Sequence, residues 1–157
     1  MKIGIIIYSY SGNTLKVAEA IKEQLDHSGI ITEINQITAI NDNPTNQEVV
    51  LDTIPNLMDY DGVILATPVR GFQIAPVMKA YLRQLQDCRK QRIYLFVTHH
   101  FALPWLGGTQ TISELRKQLN DKGAVVIGSS IINWSSKKRQ NAIIDLASNL
   151  AQKKQWK

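Results

Sequence analysis

Residue type and spacing point most directly to chemistry in the stretch Ser9-Tyr10-Ser11-Gly12-Asn13-Thr14. It follows an apolar run, Ile3 to Tyr8, and precedes a helical pattern, so a strand gives way to a helix there. The hydroxyls of Ser9, Ser11 and Thr14 can donate to phosphate oxygens. Gly12 permits a tight backbone path on which successive amides converge on an anion. The helix N-terminus adds unsatisfied donors and partial positive charge, so a phosphate dianion can be held without a lysine in the loop. Two other phosphate loops fail on residue type: the GxxxxGK[ST] pattern needs a Gly-Lys pair, and GxGxxG needs more than the one glycine present. The plain structural alternative is a Ser/Thr-capped helix behind an asparagine turn. Position after the first strand of a repeating strand–helix pattern favours the phosphate.

Hydrophobic periodicity supplies the elements that must position this loop. Ile3 to Tyr8 is nearly all apolar, as a parallel strand covered on both faces should be. Val17, Ala18, Ile21 and Leu25 fall on one helix face, closed by Ser28-Gly29. Ile30 to Ile37 alternates and suits a strand nearer an edge. The segment 41–60, with Pro44 and Pro55, reads as a loop and one short helix. Gly62 to Thr67 is a buried strand stopped by Pro68. A helix opens near Pro76, with Val77, Ala80, Tyr81 and Leu85 on its apolar face. Arg92 to Thr98 is a fourth strand, and Ile112, Leu115 and Leu119 mark a helix ended by Lys122-Gly123. Ala124 to Gly128 is a fifth strand, and Ile143, Leu146, Ala147 and Leu150 line a closing helix. The pattern specifies an α/β fold: one domain over residues 1–157, a three-layer doubly wound sandwich with right-handed crossovers.

A length of 157 residues can bury a genuine core without staples. The lone cysteine, Cys88, forms no internal disulfide; it is expected at a helix end among charged residues, unlike a poised nucleophile. The apolar start is too short for a signal sequence, and no apolar stretch is long enough for a membrane span, so the expected address is cytoplasmic. The formal charge of +5 is spread, apart from Lys137-Lys138-Arg139 and Lys153-Lys154 with Lys157. Neither cluster is interleaved with aromatic platforms, so both read as solvated faces and no nucleic acid is expected. His99-His100 lack further ligands at suitable spacing, and no metal is expected.

Ser9 to Thr14 resembles the [ST]-x-[ST]-G-N-T phosphate loop of the flavodoxin-like FMN-binding superfamily. Thr67-Pro68-Val69-Arg70-Gly71-Phe72 resembles its Thr-Pro-containing second flavin loop, and Ala75 to Lys79 the helix start that follows. Thr98 to Gly108, with the helix from about Thr111, resembles the third loop and its crossover. The likeness spans nearly the whole chain and implies a five-stranded parallel sheet of order 2-1-3-4-5. It also implies one non-covalent FMN lying across the carboxyl ends of the strands. The implied contacts are Ser9, Tyr10, Ser11, Gly12, Asn13 and Thr14 from the first loop, and Thr67, Pro68, Val69, Arg70, Gly71 and Phe72 from the second. The third loop contributes Thr98, His99, His100, Phe101, Gly107 and Gly108. By family position, backbone groups of Val69, Arg70, Gly71, Thr98 and His99 meet the ring edge.

Phe72, with Phe101 or Trp105, is a candidate ring cover, or equally a loop anchor. Arg70 near the flavin N1–C2=O region would favour a reduced anionic flavin; otherwise it is a surface arginine. His99 and His100 either donate to the ring or are solvated loop histidines. Trp134 caps one end of the site or anchors the last helix. Phe101 to Leu106 is a lid or a partner surface.

The first function the resemblance implies is an FMN-binding redox protein carrying electrons between protein partners. The alternative is an FMN-dependent oxidoreductase that takes hydride from NAD(P)H and reduces a quinone or another small acceptor. Electron-carrier flavodoxins are strongly acidic whereas this chain is basic, and Gly107-Gly108-Thr109 partly resembles the third loop of the flavodoxin-like NAD(P)H:quinone reductase branch. A flavin-free binding module is disfavoured by the intact first loop. The oligomeric state is left open.

Overall fold

The computed structural model describes residues 1–42, 48–100 and 107–157. Five strands form its parallel core: β1 (Lys2–Ile7), β2 (Ile31–Gln36), β3 (Gly62–Arg70), β4 (Arg92–His99) and β5 (Val125–Asn133). They pair in the order β2-β1-β3-β4-β5, every neighbouring pair parallel, which is the expected 2-1-3-4-5 sheet. The helices α1 (Asn13–His27), α2 (Pro76–Gln84), α3 (Gly108–Asp121) and α4 (Arg139–Leu150) supply the outer layers.

The two-residue period of a strand divides the apolar residues between two cores. Ile3, Ile5 and Ile7 of β1 join Ile64, Ala66 and Phe96 beneath Val17, Ile21 and Leu25 of α1 and Ile143, Leu146 and Leu150 of α4. Ile6, Val63, Leu65, Ile93, Leu95 and Val97 face the other way, against Val77, Met78 and Tyr81 of α2 and Ile112, Leu115 and Leu119 of α3. With both faces covered, the central strands have no reason to alternate polar and apolar residues. The edge strand β2 pairs, among the described strands, with β1 alone and does alternate. No described helix is long and apolar enough to cross a membrane.

Several sequence expectations need correction. Pro68 does not stop β3, which runs on to Arg70. β1 pairs with β3 only as far as Ala66, so the N–H that Pro68 lacks has no partner strand on that side; its other side still pairs with Thr98. Gly128 likewise does not end β5. It lies opposite Tyr94, just past an irregularity in the pairing, and a Cβ there would lie 2.5 Å from the Tyr94 ring, so the glycine makes room for the ring while the strand continues to Asn133. The expected short helix is the 3-10 turn Leu57–Asp59, but Thr38–Ala39 and Leu51–Thr53 also pair as a small antiparallel sheet. Pro44 lies outside the described residues. Cys88 falls beyond the end of α2 and is buried in the core, where burial pushes its thiol pKa up. After α4, the turn Lys153–Trp156 tucks Trp156 into the α1/α4 core, its indole N–H donating to the Leu150 carbonyl at 2.9 Å.

Candidate functional site

The loops leaving the carboxyl ends of β1, β3 and β4 meet where the strand order reverses, at the β1/β3 boundary. In the first loop Gly12 is the N-cap of α1, with φ 88°, a left-handed conformation that a side chain resists. It has no side chain to cap the helix, and within the opening turn, among the described residues, only the Leu15 amide is taken by a loop side chain, donating to Ser9 Oγ at 3.2 Å. Ser9 thus shapes the loop from within, while Tyr10 and Ser11 are exposed. Thr14 is buried, its hydroxyl 2.9 Å from that of Thr98, which ties the first loop to the end of β4. Asn13 Nδ2 lies 3.2 Å from His100 Nε2, a second tie between the same loops.

The second loop turns through Gly71 (φ 56°) and Phe72 (φ 62°) so that Gln73–Ile74 folds back antiparallel on Val69–Arg70. Gly107, the N-cap of α3 with φ 97°, packs directly on this turn. A Cβ at Gly107 would sit 2.7 Å from Phe72 Cα and 2.8 Å from Val69 Cγ1. The start of α3 is therefore locked against the second loop by the absence of one carbon.

Arg70 leaves the end of β3 into a network of aromatic and acidic groups. Its Nη1 donates to the Tyr8 hydroxyl at 3.1 Å and lies 4.0 Å from Asp42 Oδ1, and its guanidinium stacks 4.2 Å over the Tyr10 ring. The Tyr8 hydroxyl in turn donates to the Asp42 carboxylate, whose oxygens lie 2.7 and 2.8 Å away. Burial, and then the Asp42 carboxylate, push the Tyr8 phenol well above its ordinary range, so it stays protonated and able to donate. Sequence reasoning placed Arg70 at the site but missed Tyr8 and Asp42. Tyr8, the one polar tip in the apolar run Ile3 to Tyr8, was the available signal; Asp42 offered none.

Tyr10, Ser11, Asn13, Pro68, Val69, Arg70, Thr98 and His100 line a cleft of about 210 Å³. All three loops contribute, and no carboxylate lines it among the described residues. That suits an anionic group, with the α1 N-terminus and Arg70 on its walls. The volume is below that of a typical pocket for a drug-sized ligand, so the cleft has room for only part of a larger molecule.

The other expected contacts stand around this cleft. Thr67 is buried within β3, its hydroxyl donating to the Pro68 carbonyl at 3.0 Å. His99 is buried, and its carbonyl accepts from the Trp134 amide at 2.7 Å. Burial, then neighbouring His100, lower the His99 pKa, so its ring is neutral near pH 7. Gly71 and Phe72 form the turn and Gly107 and Gly108 the α3 start. Phe101 and Trp105, with the whole segment 101–106, lie outside the described residues. Trp134 anchors the last helix: Arg139 of α4 stacks 4.2 Å over its ring and donates to its carbonyl. No three His, Cys, Asp or Glu side chains cluster as metal ligands among the described residues.

The sequence profile of the NADPH-dependent FMN reductase family matches residues 1–139. No functionally curated protein matches the chain in sequence. Among solved structures, a flavodoxin, WrbA-like protein from Agrobacterium tumefaciens superposes with a TM-score of 0.73 at 14% identity, covering 99% of each chain. A flavodoxin from Streptococcus pneumoniae gives 0.71 at 14% identity, over 98% of this chain and 99% of its own. A flavoprotein in complex with FMN from Lactobacillus acidophilus gives 0.63 at 21% identity, over 83% of this chain and 92% of its own. At these identities the superpositions establish the fold.

Proposed function

The chain belongs to the NADPH-dependent FMN reductase family, and on that footing we propose that it draws electrons from NAD(P)H and passes them through a bound FMN to a small acceptor such as a quinone. It is a flavodoxin-like redox protein with FMN as cofactor. The observation that carries the proposal is the meeting of three carboxyl-end loops on one cleft free of carboxylates among the described residues. When bound, FMN supplies reversible electron chemistry at its ring, accepting a hydride and releasing electrons to an acceptor.

The protein's own part is to hold and orient. The amides opening α1, with the Ser11 hydroxyl and the Asn13 side chain, would receive the phosphate. The Thr14–Thr98 and Asn13–His100 contacts would keep the first and third loops at fixed separation around it. Pro68, Val69 and Thr98 would line the ring side, and Arg70 would bring positive charge to it. The partial enclosure leaves room for a second molecule to approach, which direct transfer from a nicotinamide requires. A single buried cysteine accords with a cytoplasmic setting.

A second reading, a carrier exchanging electrons with a protein partner, is favoured by the near end-to-end superposition on a flavodoxin of the same extent. One preparation separates the two. The purified protein should be yellow and release FMN on denaturation, and NADPH with a quinone should then turn over without any other protein. Turnover only after a separate reductase is added selects the carrier. A colourless protein that ignores added FMN defeats both.

A further inference from the structure

Resting on the FMN assignment above, we propose that Tyr8 is a positioning residue for Arg70, and that through it the protein sets how strongly its site prefers reduced over oxidised FMN. Arg70 lines the cleft, yet it is not a free surface side chain. Tyr8 accepts from its Nη1 at 3.1 Å, Asp42 lies 4.0 Å from the same nitrogen, and Tyr10 underlies its guanidinium at 4.2 Å. These three groups come from the stretch that leaves β1 into the phosphate loop and from the segment after β2, so two distant parts of the chain fix one cation.

Tyr8 joins them. It donates a hydrogen bond to Asp42 and accepts one from Arg70, a division of labour that a phenol held in its protonated form performs. Tyr8 is 2% exposed, so its ring is held by the core and its hydroxyl has little freedom to wander. An unanchored arginine would spread its charge over many rotamers and over solvent. A held one presents the charge at a defined point on the cleft wall. Reduced anionic flavin carries more negative charge than oxidised flavin, so a fixed cation beside it favours the reduced form. Asp42 alone could anchor Arg70, but it also cancels part of its field. The neutral phenol anchors without that loss.

The test is the midpoint potential of purified, FMN-loaded variants, with FMN affinity measured in both redox states. Arg70→Gln should weaken binding of reduced FMN relative to oxidised about tenfold, the size Coulomb's law gives for a unit charge within several ångströms in a partly wet site. Tenfold reads as about 30 mV downward for a two-electron couple. Tyr8→Phe changes no formal charge, yet it should lower the ratio by at least about threefold. In an Arg70→Gln background, Tyr8→Phe should add nothing. An unmoved potential in Tyr8→Phe makes Tyr8 a core residue only and overturns the proposal. So does a shift of equal size with Arg70 already removed, and so does Arg70→Gln at the wild-type potential. A protein that takes up no FMN defeats the cofactor reading and this proposal together; an FMN-loaded protein with Tyr8→Phe at the wild-type potential defeats this proposal alone.

Discussion

A methyl group added at Gly107 should cost the fold about three times what the same change costs at Gly12. Both residues are helix N-caps with left-handed backbone, at φ 97° and 88°. Alanine at either pays the conformational penalty, about 1 kcal/mol. At Gly12 that is the whole cost in the FMN-free protein, because a Cβ there meets nothing within 4 Å among the described residues. At Gly107 the new carbon would be 2.7 Å from Phe72 Cα and 2.8 Å from Val69 Cγ1. The first is backbone and cannot rotate aside, so the second loop and the start of α3 must part. Overpacking of that kind adds about 2 kcal/mol, for a total near 3. In a chain of this size 1 kcal/mol moves the thermal midpoint by about 2–4 °C. Gly12→Ala should therefore lose about 3 °C and Gly107→Ala about 9 °C. Thermal unfolding should be followed without FMN, since a ligand would shift both midpoints by mass action. Equal losses would refute the claim that the second loop and α3 are locked together by contact rather than by backbone conformation alone.

Three other outcomes are expected. Ser11→Glu, at an exposed position, should weaken FMN binding about 100-fold by setting a carboxylate against the phosphate, with FMN-free stability unchanged within about 0.5 kcal/mol; unchanged affinity in a fluorescence titration would contradict the placement of the phosphate. Trp156→Ala should cost about 3–5 kcal/mol in urea unfolding, because the ring is only 4% exposed and fills space against Gly62, where a Cβ would lie 2.5 Å from it. His99 has a lowered pKa in the fold, by burial and then His100, so the unfolded chain takes up its proton first as pH drops. Stability should fall as pH drops below about 6.5, and His99→Asn should flatten that slope between pH 7.5 and 5.5; an unaltered slope would rule His99 out as its source.

The architecture was legible because its signals are local and repeated. Strands buried on both faces announce themselves as apolar runs, and Val17, Ile21 and Leu25 recur at helical spacing with no help from tertiary contacts. Where the sequence misled, a local rule met a partner from elsewhere in the chain. Proline ends a strand only if its missing donor is needed, and at Pro68 the neighbour β1 has already stopped. Glycine marks a break unless something occupies the space above it, as the Tyr94 ring does at Gly128. The phosphate loop was readable from one segment. The holding of Arg70 was not, because Asp42 and the pair Tyr8 and Tyr10 lie far from it and from each other in the sequence. Asp42 in particular is one of several acidic and amide residues in a stretch without periodicity.

The pairing of α1 with α4 over one face of the sheet bears on how the chain is made. A ribosome releases the first of these helices more than a hundred residues before the second. The opposite face is different: α2 and α3, its cover, emerge one soon after the other, between α1 and α4. For the whole interval, Ile3, Ile5, Ile7, Ile64 and Phe96 have only half their roof, and a nascent chain stalled before residue 139 presents that apolar strip to whatever is near. Chaperone contact and premature-stop aggregation should concentrate there, on the side away from α2 and α3.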